Sequence, residues 1–266
     1  MSIILKSTRE LEIMRAAGII VATTLRELRE AVEPGITTKQ LDRLAALSIR
    51  RQGGDPAFPY VNNFPGSLCV SVNDEVVHGI PGKRRLVAGD IVKLDVGAIY
   101  DGFHGDAAIT VAVGSIAADA QRLMDTTEEA LAVGIRASIV DGYLYDVGTA
   151  IQQYVEPRGF AVVRQYVGHG IGRSLHEEPS VPHFAQPTRG PRLRPGMTFT
   201  IEPMINAGSR DTRALKDGWT VVTRDGKWSA QFEHTVAITE AGPEVLTLPD
   251  GEQARRIPIQ AANVVQ

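Results

Sequence analysis

The spacing of hydrophobic positions along the chain changes from helical to strand-like and back, which predicts alternating helix pairs and strands. Ser7 and Glu10 form a capping-box pattern ahead of an amphipathic stretch that reaches about residue 28. Thr37 and Gln40 repeat that pattern ahead of a second helix, which ends before Gly53. The second helix is expected to present three leucines: Leu41, Leu44 and Leu47.

Two more helices are predicted over residues 119–137 and 143–156, where Pro157 and Gly159 end the pair. Between the pairs, apolar residues alternate with small polar ones in runs rich in Val and Thr, as in half-buried strands. The order helix pair, then strands, therefore occurs twice. It predicts an α+β fold, a curved antiparallel sheet backed by two pairs of helices.

An internal repeat supports this order. The tripeptide His78-Gly79-Ile80 recurs as His169-Gly170-Ile171. Each copy is followed by a Leu, a Gly, an acid, an Asp-Gly turn, a second acid and an Ala-Ile-Thr ending. The four acids are Asp95 and Asp106 in the first copy and Glu202 and Glu233 in the second. Each half is thus expected to supply a hairpin with two carboxylates, over pseudo-repeats of about 7–114 and 115–248.

Hairpin geometry decides whether Asp95 and Asp106 can share a metal. A two-residue turn at Asp101-Gly102 sets Asp95 opposite Ala108 and Asp106 opposite Gly97. The two carboxylates are then diagonal neighbours on one face, roughly 7 to 8 Å apart. Side chains reaching inward from there can bind ions about 3.5 to 4 Å apart. The small residues Gly97 and Ala108 are expected to leave room for these ions.

Four carboxylates and His169 in this ordered series indicate a two-metal hydrolytic centre. Converging carboxylates repel one another and are costly to desolvate unless divalent cations neutralise them. Oxygen ligands with a single imidazole favour Mn, Fe(II) or Co(II), and ligand type does not choose among the three. Three other histidines are interpreted as surface or supporting residues: His104, His183 and His234.

Composition narrows the function without deciding it. The chain has 266 residues, 43% hydrophobic content and no low-complexity linker, so we expect one domain over residues 1–250. A net charge of -3 with interspersed charges argues against a nucleic-acid substrate. No apolar run approaches the roughly 20 residues that span a bilayer. A single Cys69 agrees with a reducing compartment, so a cytoplasmic protein with no membrane partner is predicted.

Seven motifs, in this order, resemble those of type I methionine aminopeptidases. The motifs are Asn73-Asp74-Glu75-Val76-Val77-His78-Gly79-Ile80-Pro81, Asp95-Val96-Gly97, Gly105-Asp106, Gly168-His169-Gly170-Ile171-Gly172, His176-Glu177-Glu178-Pro179, Ile201-Glu202-Pro203-Met204 and Glu233-His234-Thr235. The resemblance covers residues 7–246. It implies the pita-bread fold, whose pseudo-twofold symmetry would account for the repeat. It also implies removal of the initiator methionine from nascent polypeptides when the next residue is small.

The resemblance further implies a role for each residue of the centre. Asp106 and Glu233 would bridge two divalent ions, His169 and Glu202 would complete one site, and Asp95 would complete the other. A hydroxide bridging the ions would attack the scissile carbonyl, with Glu202 as general base. The remaining implied residues are His176 at the developing oxyanion and His78 near the scissile peptide.

The resemblance also implies an apolar methionine pocket that includes Phe64, Cys69 and Trp219, with His78 and His176 in contact with the substrate. Val61 and Leu175 stand where relatives often carry aromatic residues. We therefore expect methionine to be preferred with a looser fit.

Two alternatives stay open. A proline-specific dipeptidase or aminopeptidase of the same fold would use similar ligands, although such relatives usually carry an additional amino-terminal domain. A non-catalytic peptide-binding module is expected to lack some ligands, whereas all five are present. The short stretch between Glu202 and Glu233 disfavours the type II branch, which inserts a subdomain there.

The expected partners are the N-terminal peptides of nascent chains. The C-terminal tail, residues 251–266, contains Arg255 and Arg256 and is a candidate contact with the ribosome near its exit tunnel. The sequence leaves open whether the tail instead packs on the domain or has no fixed structure. We expect a monomer.

Overall fold

A computed structural model describes residues 2–249. Predictions about the first residue, the last residue of the predicted domain and the tail at 251–266 lie outside this range. Within it, no helix combines the length and apolar character needed to cross a membrane. The boundaries of the two pseudo-repeats stay a prediction.

Four α-helices form where the sequence predicts them: α1 (Thr8–Ala31), α2 (Thr38–Arg51), α3 (Ala118–Ala137) and α4 (Leu144–Val155). Both predicted capping boxes are present, because Ser7 and Thr37 each accept from the backbone N–H three residues on. The side chains of Glu10 and Gln40 return the bond to the capping residue. A 3₁₀ turn at Glu156–Arg158 follows α4 and ends at Gly159, whose φ is +84°.

The prediction for the buried face of α2 is wrong at one position. Leu41 is buried, but Leu47 is 64% exposed and Leu44 is only partly buried. The face that packs on α1 and the sheet instead comprises Leu41, Ala45, Ser48 and Ile49. Leu47 lies six residues beyond Leu41, which rotates it by about 240° and directs it to solvent.

Fifteen strands lie within the described residues: β1 (Asp55–Pro56), β2 (Cys69–Val72), β3 (Glu75–Val77), β4 (Ile91–Tyr100), β5 (Phe103–Ala112), β6 (Ala161–Val162), β7 (Gly168–Gly170), β8 (Glu177–Val181), β9 (Thr198–Ile201), β10 (Met204–Asn206), β11 (Thr212–Ala214), β12 (Val221–Thr223), β13 (Ser229–Gln231), β14 (His234–Thr239) and β15 (Gly242–Val245). All recorded pairings are antiparallel, and hydrogen bonding divides the strands into four sheets. Helices α1 and α2 share a buried core with β2 and β4, whereas α3 and α4 share one with β9, β10, β13 and β14. The α+β prediction is confirmed.

The first predicted hairpin is confirmed residue by residue. Strands β4 and β5 pair with Asp95 opposite Ala108, Gly97 opposite Asp106 and Tyr100 opposite Phe103. The turn residues Asp101 and Gly102 have φ values of +45° and +76°. Two successive positive φ values are those of a type I′ turn, whose twist matches the twist of the flanking strands.

The second predicted hairpin is wrong in its turn. Strand β9 pairs with β14 and β10 pairs with β13, so the two acid-bearing segments do lie side by side. Their connection, however, contains β11 and β12, which pair with each other, and β12 also pairs with β3. Asp225-Gly226 therefore joins β12 to β13 and is not the tip of the hairpin that carries the acids.

Candidate metal centre

Alternation along β4 separates the core from the centre. Val92, Leu94 and Val96 belong to the core shared with the helices. Because neighbouring strand residues point to opposite faces, Asp95 points away from the helices. Asp106 on β5 shares its face and is only 4% exposed.

The second pair of acids occupies breaks between short strands. Glu202 directly follows β9 and Glu233 directly precedes β14, just beyond the last paired residues, Ile201 and His234. The Glu233 backbone N–H donates to the Ala108 carbonyl at 2.8 Å. This bond brings Glu233, 2% exposed, against the hairpin that carries Asp95 and Asp106.

His169 on β7 completes the cluster. Its Nδ1 lies 2.9 Å from the Gly170 carbonyl. A carbonyl only accepts hydrogen bonds, so Nδ1 carries the proton and Nε2 keeps its lone pair. Nε2 lies 3.7 Å from Glu202 Oε1 and 3.9 Å from Asp106 Oδ2. Potential ligand atoms of Asp106, His169 and Glu233 all lie within 4.8 Å of one another.

All five predicted ligands line one cavity of about 390 Å³, so the structure brings them together. No Lys or Arg side chain lines this cavity among residues 2–249. Asp95 Oδ1, Asp106 Oδ1 and Glu233 Oε1 are buried without a hydrogen-bond partner there. Buried carboxylate oxygens without protein partners fit divalent cations, which prefer oxygen ligands.

The electrostatics of the cluster agree with this fit. Burial raises the pKa of Asp95 to about 7 and that of Glu202 to about 8. Burial, followed by repulsion from neighbouring carboxylates, raises the pKa of Asp106 and of Glu233 well above their ordinary values. Without cations the four groups therefore resist ionisation together. Bound cations would reverse that preference.

The two remaining predicted histidines lie beside the cluster. The His176 ring meets the His169 ring edge to face, with centroids 4.4 Å apart. His78 has a φ of +58°, and burial followed by the neighbouring His176 lowers its pKa to about 4. Burial also lowers the pKa of His176, so both rings are mainly neutral near pH 7. Both line the same cavity.

The rest of the cavity lining is largely apolar and contains the predicted pocket residues. Phe64 packs edge to face against Trp219, with ring centroids 5.1 Å apart, and Cys69 lies opposite Asp95 in the ladder between β2 and β4. Burial and the nearby carboxylates raise the pKa of the Cys69 thiol well above its ordinary value. Cys69 is therefore a packing residue and not a thiolate nucleophile.

Gly97 makes room for the wall of the pocket. A Cβ placed there would lie 2.7 Å from Phe58 Cε1 and 3.0 Å from Ala57 Cβ. The room that Gly97 leaves for metal ions stays a prediction. Phe58, whose ring centroid lies 6.2 Å from that of Phe64, is a pocket residue that the sequence interpretation missed. Val61 and Leu175 also line the cavity, as expected.

Three supporting residues were also missed or underrated. Thr200 Oγ1 donates to Glu202 Oε1 at 2.8 Å and accepts from the His169 N–H at 3.0 Å. Gln231 Nε2 donates to Glu202 Oε2 at 3.4 Å. His183 is fully buried, and its Nε2 accepts from the Glu202 backbone N–H at 3.0 Å. Only Thr200 had a local signal, because it precedes Glu202 by two and lies in the same predicted strand.

Comparisons with known proteins agree with this geometry. The model of metallopeptidase family M24 matches residues 12–240. Methionine aminopeptidase 1 of Bacillus subtilis is 54% identical, covering 92% of this chain and 99% of the relative. The crystal structure of methionine aminopeptidase from Rickettsia prowazekii has a TM-score of 0.91 at 43% identity, covering 93% and 100%.

A solved structure of lower sequence identity has the same fold. The prolidase from Pyrococcus furiosus has a TM-score of 0.74 at 22% identity, covering 92% of this chain and 65% of that one. A likeness at this identity shows the architecture alone, and that architecture is the pita-bread fold. The family match and the close relatives decide the classification: the chain belongs to metallopeptidase family M24, in its methionine aminopeptidase branch.

Proposed function

We propose that the chain is a metal-dependent aminopeptidase that removes the initiator methionine from polypeptides whose second residue is small. One observation carries the proposal: four carboxylates, of which Asp106 and Glu233 are buried, and one imidazole converge in one cavity whose remaining lining is largely apolar. The names of the close relatives support the same reaction. Binding of divalent ions would supply Lewis acidity, which activates water near neutral pH and polarises a carbonyl group.

Asp106 and Glu233 are the proposed shared ligands of two ions, with His169 and Glu202 on one side and Asp95 on the other. The unpartnered oxygens of Asp95, Asp106 and Glu233 support this division. The His169 tautomer supports it too, since the Gly170 carbonyl fixes the proton on Nδ1 and leaves Nε2 as a ligand atom. Co, Mn and Fe(II) all suit this donor set.

Glu202 is the proposed general base. Thr200 and Gln231 donate to its two oxygens, and His183 accepts from its backbone N–H, so both ends of the residue are held. A carboxylate held in this way can take a proton from the attacking water without losing its orientation. The same hydrogen bonds would also hold Glu202 in place as a metal ligand.

His176 and His78 act as neutral hydrogen-bond donors in this scheme. His176 lies next to His169, where a developing oxyanion would need a donor, and His78 faces the cavity near Trp219 and Tyr166. Burial keeps both rings neutral, so each offers one N–H without adding a charge that repels the cations.

The substrate would enter with its free amino group at the Asp95 side and its methionine side chain in the apolar pocket. Phe58, Phe64, Cys69 and Trp219 line that pocket, and aromatic rings make favourable contacts with a thioether. A free amino terminus held in this position makes the enzyme an exopeptidase. Because the pocket suits a methionine side chain, methionine peptides should be cleaved faster than alanine or leucine peptides.

Hydrolysis of two tripeptides, with and without a chelator, tests the proposal. Met-Ala-Ser should be cleaved after its first residue in a metal-dependent manner, and Ala-Pro-Ala should not. A preference for Ala-Pro-Ala would support the proline-specific alternative. If neither peptide is cleaved, with or without the chelator, the result would support a binding module.

We further propose that the tail at 251–266 contacts the ribosome. We also propose that the protein is cytoplasmic and monomeric. The full chain should co-sediment with ribosomes more strongly than a chain ending at residue 249. Equal co-sedimentation of the two chains would remove the tail from the proposal, and sedimentation velocity would measure the oligomeric state.

A further inference from the structure

The two halves of the metal centre meet along a line that we call the seam, formed by residues 106–110 of β5 and residues 231–235. These segments run antiparallel, but no strand ladder joins β5 to β13 or β14 among the described residues. One direct backbone bond, from the Glu233 N–H to the Ala108 carbonyl, crosses the seam at its middle. Two threonine hydroxyls supply the bonds on either side of it.

The two hydroxyls act reciprocally. Thr110 Oγ1 donates to the Gln231 carbonyl at 2.6 Å and accepts from the Gln231 N–H at 3.0 Å. Thr235 Oγ1 donates to the Asp106 carbonyl at 2.8 Å and accepts from the Asp106 N–H at 3.1 Å. Each hydroxyl thus satisfies both backbone groups of one residue in the opposite half.

Burial makes these bonds costly to lose. Thr110 is 2% exposed and Thr235 is 1% exposed. Removing either hydroxyl would leave a buried N–H and a buried carbonyl without partners, and neither can turn to water. Lys93 extends the seam at one end, since its Nζ donates to the carbonyls of Asn73 and Ser229 at 2.8 and 2.7 Å.

The seam holds each shared carboxylate from the opposite half. Thr235 holds the backbone of Asp106, whereas Ala108 holds the backbone of Glu233. Thr110 holds Gln231, whose side chain donates to Glu202. A metal site needs its ligands within about 0.5 Å of the productive geometry. The seam therefore controls the distance between the carboxylates of Asp106 and Glu233.

We propose that Thr110 and Thr235 are positioning residues that set the spacing of Asp106 and Glu233 for a pair of divalent ions. This inference rests on the proposed function, which makes those two carboxylates the shared ligands. Neither threonine is among the residues that line the cavity, and both hydroxyls bond to backbone groups of the seam. Their effect on the reaction is exerted through the metal ligands.

Thr235→Val and Thr110→Val, which keep the side-chain shape and delete the hydroxyl, test the inference by Co(II) titration. Calorimetry gives the affinity, and the visible absorption of bound Co(II) reports its coordination geometry. Loss of a supporting hydrogen bond typically weakens metal binding about 10- to 100-fold. We expect a loss of that size and a changed spectrum in both variants, with a return towards wild type in Thr235→Ser and Thr110→Ser.

Thr127→Val is the matched control. Thr127 is fully buried, but its hydroxyl donates to the Leu123 carbonyl within α3 and not to a backbone group of the seam. This variant should lose stability without a change in the Co(II) spectrum. If Thr235→Val does not fold, Thr235→Cys and Thr235→Ser differ in one atom, and only the cysteine variant should show weakened binding.

Wild-type Co(II) affinity and spectrum in Thr235→Val and Thr110→Val would overturn the inference. Failure of the ligand assignment gives a different result, because Asp106→Asn and Glu233→Gln would then bind Co(II) as the wild type does, and failure of the proposed reaction appears as a wild type that does not cleave Met-Ala-Ser. The threonine variants and the ligand variants therefore fail separately.

Discussion

The two halves of the molecule deliver their carboxylates by different means. In the first half, Asp95 and Asp106 lie on one continuous hairpin closed by a two-residue turn. In the second half, Glu202 and Glu233 lie at breaks between short strands, and residues 207–228 separate the two arms. The first pair is fixed by local register, and the second by pairing between distant segments.

This difference shows that a repeated ligand pattern does not require a repeated connection. The repeat aligns Asp101-Gly102 with Asp225-Gly226, yet only the first turn joins the strands that carry acids. The longer connection of the second half contains β11 and β12, and β12 pairs with β3 of the first half. Four predictions test how far the two halves are equivalent.

The largest effect is expected from substituting one shared ligand in each half. Asp106→Asn and Glu233→Gln should each lower kcat/KM for Met-Ala-Ser about a thousandfold, since metal ions contribute several kcal/mol and 1.36 kcal/mol is tenfold in rate. Both variants should also bind less metal, as measured by elemental analysis after dialysis. A strong loss in one variant alone would show that the halves are not equivalent.

Next in size is the pH dependence of stability in chelator-treated protein. The folded-state pKa of Asp95 is raised to about 7 and that of Glu202 to about 8, from ordinary values of 3.8 and 4.5. The folded state therefore binds more protons than the unfolded state, and this contribution is lost as the pH rises from about 4 through about 8. The expected slope is about 1.4 kcal/mol per pH unit for each such proton.

Thermal melts of chelated wild type, Asp95→Asn and Glu202→Gln between pH 5.5 and 8.5 measure that slope, and each variant should lose part of it, one in each half. The carboxylate contribution is the difference between wild type and variant, because burial lowers the pKa of His78 and His176, and these groups contribute a stability that rises with pH up to about 6.5. Adding Mn(II) to the wild type should flatten the carboxylate contribution, because bound cations stabilise the ionised carboxylates. An equal pH dependence in the wild type and in both variants would contradict the carboxylate pKa shifts.

A smaller effect is expected from the connection that only the second half contains. Trp219→Ala removes an aromatic wall of the pocket, and changes in a hydrophobic pocket are worth about 1 to 3 kcal/mol. Hydrolysis of Met-Ala-Ser should slow by about 10- to 200-fold while metal content stays at the wild-type level. A loss of bound metal would instead place Trp219 among the residues that support the centre.

The smallest effect separates the two Asp-Gly turns. Gly102 and Gly226 have φ values of +76° and +71°, and a Cβ at either position would meet no atom closer than 3.8 Å. Gly102→Ala and Gly226→Ala should therefore each cost about 1 kcal/mol in the free energy of unfolding, measured with urea. Only Gly102→Ala should also weaken metal binding, since only that turn sets the register of two ligands.

The sequence allowed prediction where the signal is local. Asp101-Gly102 specified the whole β4–β5 register, and the two capping boxes specified where α1 and α2 begin. The five proposed ligands could be selected because their order repeats and carboxylates need a cationic partner. Leu47 shows the limit even here, since periodicity finds a buried face but its phase depends on what packs against it.

The features that the sequence did not predict depend on contacts between residues far apart in the chain. Thr110 bonds to a residue 121 positions away and Thr235 to one 129 positions away, so no window of sequence contains either partnership. His183 has the same character, because its significance comes from the Glu202 backbone across the fold. The role of β11 and β12 depends on pairing with β3, which the repeat could not indicate.

The position of Trp219 has a consequence for how such an enzyme can change. Trp219 lies in the connection between β11 and β12, which contains none of the five proposed ligands, and β12 is anchored on β3 beside His78. One wall of the pocket is thus encoded by a stretch of chain that holds none of the proposed ligands. We expect substitutions at Trp219 to change which peptides are accepted while the proposed ligands stay in place, which gives this architecture an accessible route to new substrates.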